Sequence, residues 1–225
     1  MTKQRVMVSW SSGKDSAWAL YKAQQSSDIE VIGVFTTVNT AFQRVAMHGV
    51  RREILERQAE CLGLPLSIIE IPYPCSNAEY EAAMLRFIER IKADGIDGLV
   101  FGDLFLEDIR GYREKQLANS GLSIYFPLWQ IPTRSLAQEM VDAGLRAVIA
   151  CVDPKQCSSD LAGRTFDADF LSEVPNNMDP CGENGEFHTC VIAGPMFKQD
   201  INVRVGEIVE REGFIYADVI LLGDS

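Results

Sequence analysis

The chain has 225 residues, of which 47% are hydrophobic and 24% charged, and its formal net charge is −11. This length can bury a full core, as one domain or as a domain with a smaller appendage, and the composition excludes a disordered or fibrous chain. The acidic balance opposes binding to nucleic acid through phosphate contacts, although Arg51 and Arg52 leave room for a local basic patch. Nucleic acid is therefore not expected as a partner.

Targeting signals, membrane spans and clustered metal ligands are not evident in the sequence. The N-terminus lacks an apolar signal-peptide core and no apolar run is long enough for a bilayer, so we predict a cytoplasmic protein. There is no CxxC pair and there are only two histidines, so a zinc site would need scattered ligands and reduced structural thiols are expected. The cysteines are Cys61, Cys75, Cys151, Cys157, Cys181 and Cys190. Whether the chain forms a homo-oligomer is left open.

The first half of the chain alternates short β-branched or apolar runs with amphipathic stretches. The predicted strands are Arg5–Trp10, Glu30–Thr37, Leu66–Ile71, Gly98–Gly102 and Ser123–Pro127. The clearest helical face carries Met84, Phe87, Ile88 and Ile91 at spacings i, i+3, i+4 and i+7. Repeated βα units of this kind predict an α/β fold, with a mostly parallel sheet, right-handed crossovers and helices on both faces.

The pattern changes in the last third of the chain. A predicted helix over Arg134–Ala143 and a strand over Arg146–Val152 precede a segment rich in Pro, Gly, Asn and Asp, which indicates a short helix and structured loops. From Ile201 the sequence alternates in the manner of a strand, turns at Arg-Glu-Gly and continues as a second strand, which predicts a hairpin. We therefore predict a larger domain over residues 1–130 and a smaller α+β region over residues 131–225 that packs against it.

The turn SSGKDS, Ser11–Ser16, joins the first predicted strand to a helix that starts near Asp15 or Ser16. It is not a Walker A loop, because Val8 stands where that pattern needs glycine and Asp15 follows the lysine in place of Ser or Thr; no GxGxxG occurs either. The free N–H groups and the dipole of such a helix start suit an anion, Lys14 adds a cation, and Asp15 could cap the helix or hold Mg²⁺. A plain strand-to-helix turn capped by Ser and Asp is the alternative.

After a first strand, SSGKDS resembles the PP-loop of the ATP pyrophosphatases, whose usual form is SGGxDS. Ser12 stands where that pattern has its first glycine. Serine allows the backbone of the turn fewer conformations than glycine does, but it keeps the N–H donor. The resemblance implies a Rossmann-like PP-loop fold and an ATP site in which a substrate oxygen attacks the α-phosphorus and pyrophosphate leaves. The ATP-binding residues that it implies in this turn are Ser11, Ser12, Gly13, Lys14, Asp15 and Ser16. Asp15 is the candidate Mg²⁺ ligand, with helix capping as the alternative.

Two further stretches narrow the resemblance to the diphthine–ammonia ligase family. VFGDLFLEDIRGYREKQLANSGLSIYFPLW and GENGEFHTCVIAGPMF are similar to the family's GD…R, PLW-like and E-G-G-E-F/Y-E-T motifs, and the likeness runs from about Val6 to Phe197. Asn184 replaces a family glycine and His188 a family glutamate, on the substrate side. The resemblance implies ATP-dependent amidation of a carboxylate by ammonia or another amide-nitrogen donor. It leaves the acceptor open, with a modified histidine on an elongation factor as the family's example.

Other candidate residues lie at predicted strand ends, where ligands collect in such sheets. Gly102 and Asp103 end the fourth predicted strand, and Asp103 could bind Mg²⁺ or position a nucleophile. Arg113 could reach a phosphate or a carboxylate as a planar fork. Thr36 and His48 are also assigned to the ATP site. His48 is assigned by its family-like position, although it could equally be a surface or capping residue.

The second signature supplies the acceptor side of the predicted site. Its members are Glu183, Asn184, Gly185, Glu186, His188 and Thr189, which could orient a carboxylate or ammonia or take a proton from the amine. With them, Lys14, Asp15, Asp103 and Glu186 form the predicted catalytic set. Two other functions stay open, a tRNA-modifying PP-loop enzyme and a non-catalytic nucleotide-binding module, and a polar turn before a strand is the plain alternative for the signature.

Overall fold

A computed structural model describes residues 2–45 and 49–223. The elements of its first part are β1 (Gln4–Ser9), α1 (Lys14–Gln24), β2 (Ile29–Asn39), β3 (Arg44–Val45), α2 (Arg52–Leu62), β4 (Leu66–Ile71), α3 (Asn77–Ala93), β5 (Gly98–Val100), α4 (Glu107–Leu117) and β6 (Ser123–Tyr125). The second part contains α5 (Thr133–Asp142), β7 (Arg146–Val152), β8 (Thr165–Phe166), α6 (Ala168–Glu173), β9 (Phe187–Ala193), β10 (Val203–Arg211) and β11 (Phe214–Leu221). In the part of the chain described, no helix is both long and apolar enough to cross a membrane.

The first sheet is the parallel sheet that the βα repeats predict. Strand β1 lies between β2 and β5, and β2–β4 and β5–β6 continue the parallel pairing on either side. The short strand β3 is antiparallel to β2. From β1 the chain first builds the sheet outward through β2 and β4, and then returns to add β5 and β6 on the other side. The strand order therefore reverses between β1 and β5, and in sheets of this kind ligands bind in the crevice beyond the carboxyl ends of those two strands. The α/β fold class is confirmed.

Helices cover both faces of this sheet. Successive side chains of β1 point to opposite faces and are apolar, so both faces need cover. Val6 and Val8 pack into the core cluster that includes α1 and α2, whereas Met7 points into the cluster that includes α3. The predicted helical face of α3 is confirmed, because its four apolar residues are all buried. A capping box between Ser76 and Glu79 fixes where α3 begins.

The second sheet is antiparallel, and it contains the predicted C-terminal hairpin of β10 and β11. Strand β7 follows α5 as predicted but does not extend the parallel sheet. It pairs instead with β8, β9 and β11, all antiparallel to it. The boundary between residues 130 and 131 remains a prediction. The second sheet is hydrogen-bonded to the turn that follows β1, since Val191 N on β9 donates to the Ser12 carbonyl at 2.8 Å.

Candidate active site

A cavity of about 550 Å³ opens at the carboxyl ends of β1, β2 and β5. Its walls come from the SSGKDS turn, the ends of those strands, α3, α4 and the segment from Gly182 to Thr189. The predicted site residues that line it are Ser11, Lys14, Asp15, Ser16, Thr36, Gly102, Asp103, Arg113, Glu183, His188 and Thr189. The fold therefore brings the two sequence signatures into a single space.

The turn presents its backbone donors in the way an anion site needs. Helix α1 begins at Lys14 with Gly13 as its N-cap, so four amides have no carbonyl within the helix. Gly13 N donates to Ser11 Oγ at 3.3 Å and Lys14 N to Thr189 Oγ1 at 3.0 Å. The amides of Asp15 and Ser16 remain in the first turn, at the positive end of the helix dipole.

Ser12 holds the bend of the turn in a left-handed conformation, with φ +69°. Its carbonyl accepts from Val191 N at 2.8 Å and from Gln58 Nε2 at 3.2 Å. Gln58 is fully buried and also accepts from Trp10 Nε1 at 2.9 Å. Sequence reasoning missed Gln58, although its place four residues after Ile54 on the buried face of α2 was a visible signal.

Gly102 is required because β5 ends against the start of α1. A Cβ at this position would lie 2.9 Å from both the carbonyl carbon and the carbonyl oxygen of Asp15. Real Cβ atoms do not approach backbone so closely, so any side chain here would displace the turn. Gly102 thus acts on the site by its lack of a side chain.

The Lys14 ammonium is buried at the floor of the cavity, with the residue only 1% exposed. It lies 2.9 Å from Asp15 Oδ2, donates to the Cys181 carbonyl, and sits 5.2 Å from the ring centre of Phe187. Burial is the largest single effect and lowers the pKa of Lys14, but the interactions with Asp15, Cys181 and Asp179 together outweigh it and hold that pKa above its usual value. The cation is therefore retained where phosphate charge would arrive.

Asp15 fits the predicted role of a Mg²⁺ ligand. Its Oδ1 is buried and has no hydrogen-bond partner among the described residues, and burial raises the pKa of its carboxyl against the opposing effect of Lys14. Nowhere in residues 2–45 and 49–223 do three His, Cys, Asp or Glu side chains gather as a metal site. Mg²⁺ is commonly held by one or two carboxylates together with water and substrate phosphates, so one unpaired oxygen suffices.

Asp103 and Arg113 form a two-pronged ion pair at the cavity wall. Arg113 Nε donates to Asp103 Oδ2 at 2.6 Å and its Nη2 donates to Oδ1 at 3.0 Å. The guanidinium also stacks over the Phe101 ring, 4.4 Å from its centre. The two predicted residues thus form a salt bridge with each other. An anion that binds Arg113 would have to compete with Asp103 for the guanidinium N–H groups.

Glu183 is the carboxyl of the second signature that reaches the cavity. Its Oε1 accepts from Leu104 N at 2.8 Å, and its own amide donates to Asp179 Oδ2 at 2.8 Å. Burial raises the pKa of Glu183 to about 7, opposed by the bond from Leu104. A carboxyl that exchanges its proton near neutral pH is suited to acid–base work.

Glu186, which the sequence analysis includes in the catalytic set, faces into its own loop. It is 4% exposed, and its Oε1 accepts from Asp179 N at 3.0 Å and from Asn184 Nδ2 at 3.1 Å. Glu186, Asn184 and Gly185 are absent from the cavity lining, whereas His188 and Thr189 line it. The catalytic role of Glu186 remains a prediction, and the contacts described are those of a residue that shapes the loop.

Two other predicted ATP-binding residues are absent from the lining. Ser12 and Gly13 form the backbone of the turn behind the cavity surface, which suits a role through amides and shape. His48 lies outside the described residues. The ATP-binding role of each stays a prediction.

Comparison with known proteins matches almost the whole chain. The family model for the diphthamide synthase N-terminal domain matches residues 4–124, and that for the C-terminal domain matches residues 132–219. A diphthine–ammonia ligase of Schizosaccharomyces pombe is 26% identical over 177 residues, which span 72% of this chain and 29% of that protein. Those of Danio rerio and Bos taurus are 25% and 27% identical over 76% and 80% of this chain, and 72% of each relative is covered. The chain belongs to the diphthamide synthase family.

Proposed function

We propose that the chain is an ATP-dependent carbon–nitrogen ligase that adenylates a carboxylate and transfers ammonia to it. The observation that carries this proposal is the shared cavity. An anion-binding turn with a buried lysine faces the same 550 Å³ space as Glu183 and the Asp103–Arg113 pair. The family relatives bear the name diphthine–ammonia ligase, which supports the same reaction class.

The proposed reaction has two steps, adenylation of the acceptor and transfer of ammonia. A carboxylate oxygen of the acceptor attacks the α-phosphorus of ATP, the bond between the α-phosphorus and the bridging oxygen breaks, and pyrophosphate leaves. Ammonia then attacks the acyl carbon of the adenylate, the acyl–oxygen bond breaks, and AMP leaves with its electron pair. The products are an amide, AMP, pyrophosphate and one proton.

The turn contributes charge stabilisation and positioning to the first step. The amides of Asp15 and Ser16 and the ammonium of Lys14 hold the β- and γ-phosphates, which become the leaving pyrophosphate. Asp15 Oδ1 would hold Mg²⁺, which when bound neutralises phosphate charge. Holding the reactants in line can contribute about 7–11 kcal/mol, which is the kind of contribution we assign to this cavity.

Glu183 serves the second step as the proton acceptor. The attacking ammonia becomes a positively charged amine and must lose a proton before the amide is formed. A carboxyl in the cavity whose pKa is about 7 is half ionised at neutral pH and can take that proton. His188, five residues later in the same signature, also lines the cavity.

The acceptor is a carboxylate supplied by another molecule, and diphthine on an elongation factor is the first candidate because the relatives are named for it. His188 lines the cavity and replaces the glutamate that is usual in the family. A preference of this chain for a carboxylate other than diphthine would therefore depend on His188. Ammonia arrives from solution or from an external donor.

The test is turnover with ATP, Mg²⁺, ammonium and diphthine-bearing elongation factor, with the nucleotide products separated by chromatography. AMP and pyrophosphate that appear together with amide are expected. ADP and phosphate alone would overturn the assignment, and tight ATP binding with no turnover on a wide panel of carboxylates would favour a nucleotide-binding module. Lys14→Ala is expected to slow adenylate formation by about 10²–10³-fold, the usual effect of losing one donor to developing charge. The exposed Lys155→Ala is the matched control.

A further inference from the structure

Gln58 is a buried polar side chain to which the proposed reaction gives no role. It lies on α2, is fully buried, and is absent from the cavity lining. Its Oε1 accepts from Trp10 Nε1 at 2.9 Å, and its Nε2 donates to the Ser12 carbonyl at 3.2 Å and to the Val191 carbonyl at 2.8 Å. An indole N–H can only donate, so the amide oxygen faces Trp10 and the amide hydrogens are left for the two carbonyls.

The Ser12 carbonyl decides where the next amide of the turn points. In a trans peptide, the carbonyl of one residue and the N–H of the next point in opposite directions. Gln58 Nε2 and Val191 N both hold the Ser12 carbonyl, which therefore points toward α2 and β9. The N–H of Gly13 is directed the other way, where it donates to Ser11 Oγ at 3.3 Å, and Ser11 lines the cavity.

The backbone of Ser12 is held in a conformation that it would not adopt by preference. Its φ of +69° is unfavourable for a residue with a side chain. A change of Ser12 to negative φ reorients the peptide groups on either side of it, and a carbonyl turned to the cavity would repel phosphate. The hydrogen bonds from α2 and β9 oppose that change, and the one from Gln58 comes from a side chain that substitution can remove.

We propose that Gln58 is a positioning residue for phosphate binding, which keeps the Ser12 carbonyl away from the cavity and the Gly13 amide directed toward it. This inference rests on the proposed ligase function, because it takes the β- and γ-phosphates of ATP to bind at the turn. Gln58 should therefore matter for nucleotides that carry these phosphates and not for those that lack them. Ser12→Gly should make Gln58 dispensable, since glycine adopts positive φ without strain.

Two nucleotides distinguish this role from a general contribution to folding. Calorimetry measures the affinities for α,β-methylene-ATP, in which the bridge between the α- and β-phosphorus cannot be cleaved, and for AMP, which lacks the β- and γ-phosphates. Gln58→Met keeps the length of the side chain but removes the amide. It is expected to bind the ATP analogue about 3–10-fold more weakly, the equivalent of one hydrogen bond, and AMP within about twofold of the wild-type chain. In the Ser12→Gly background, the same change at Gln58 should alter either affinity by less than about twofold.

Ile54→Val is the matched control. Ile54 lies one turn before Gln58 on the buried face of α2 and is absent from the cavity lining. This substitution alters the packing of α2 without removing a hydrogen bond to the turn, so it should change neither affinity, with or without Ser12→Gly. Gln58→Glu replaces the methionine variant if that one fails to fold. Its buried carboxyl stays protonated, accepts from Trp10 Nε1 and offers one hydrogen in place of two, so a smaller loss for the ATP analogue alone is expected.

The outcomes separate the inference from the function on which it rests. Equal losses of affinity for the two nucleotides, or a loss that Ser12→Gly does not rescue, would overturn the positioning role of Gln58. Unchanged affinity for the ATP analogue in the Gln58 variants would also overturn it, as would an equal loss in Ile54→Val. Failure of the wild-type chain to bind either nucleotide would instead overturn the ligase function.

Discussion

Ser12→Gly should make this protein more stable, although it removes a fully buried side chain. The φ of +69° places Ser12 in the left-handed region, which costs a residue with a Cβ about 1–2 kcal/mol. Its Oγ is also buried with no partner among the described residues, which costs about 1–3 kcal/mol. Glycine is free of both costs and loses about 0.5–1 kcal/mol through its larger backbone entropy in the unfolded chain.

The expected gain in the free energy of unfolding is about 2 kcal/mol, which for a chain of this size raises Tm by about 4–8 °C. Ser12→Ala separates the two contributions, because alanine loses the hydroxyl but keeps the strained backbone. It should gain about 1 kcal/mol, and the rest should appear only with glycine. The native conformation persists with serine because Val191 N and Gln58 Nε2 both bind the Ser12 carbonyl.

Urea unfolding followed by circular dichroism and by tryptophan fluorescence gives these free energies. If Ser12→Ala were less stable than the wild-type chain, the hydroxyl would have a partner and the argument from its burial would be wrong. If Ser12→Gly gained no more than Ser12→Ala, the left-handed conformation would carry no cost here.

Three further outcomes follow from the site. Gly102→Ala should weaken ATP binding at least about tenfold in calorimetry, because its Cβ would displace the turn, whereas Gly111→Ala, with open space around it, should not. The pKa of Glu183 is raised from 4.5 to about 7, so the folded chain keeps a proton that the unfolded chain has lost. The contribution of Glu183 to stability should therefore fall as pH rises between these values and level off above them, and Glu183→Gln should make that slope shallower in urea titrations against pH. Burial raises the thiol pKa of Cys151 and Cys157 to about 11, so serine at either position should leave turnover intact, and loss of turnover in both folded variants would favour sulfur transfer.

Much of the scaffold follows from local pattern alone. The apolar positions of α3, the limits of β4 and β7, and the hairpin of β10 and β11 agree with the periodicity and turn residues of the sequence. The SSGKDS turn is similarly local, because six consecutive residues between a strand and a helix fix which amides face the crevice. Patterns of this kind depend on residues that are close together in the sequence, so they can be recognised without knowledge of the tertiary structure.

The composition of the candidate site was decided by contacts between residues far apart in the chain. Lys14 meets Thr189 across 175 positions and Gln58 meets Val191 across 133, and no periodicity predicts such pairs. The sequence analysis placed Glu186 of the signature GENGEF in the catalytic set and Glu183 only on the acceptor side. In the fold, the loop that Asp179 closes brings Glu183 to the cavity lining and leaves Glu186 out of it. The sequence of strand β7 likewise does not indicate which sheet it joins, because a buried strand has the same apolar pattern in a parallel and in an antiparallel sheet. Its place is determined by the strands that are available to pair with it.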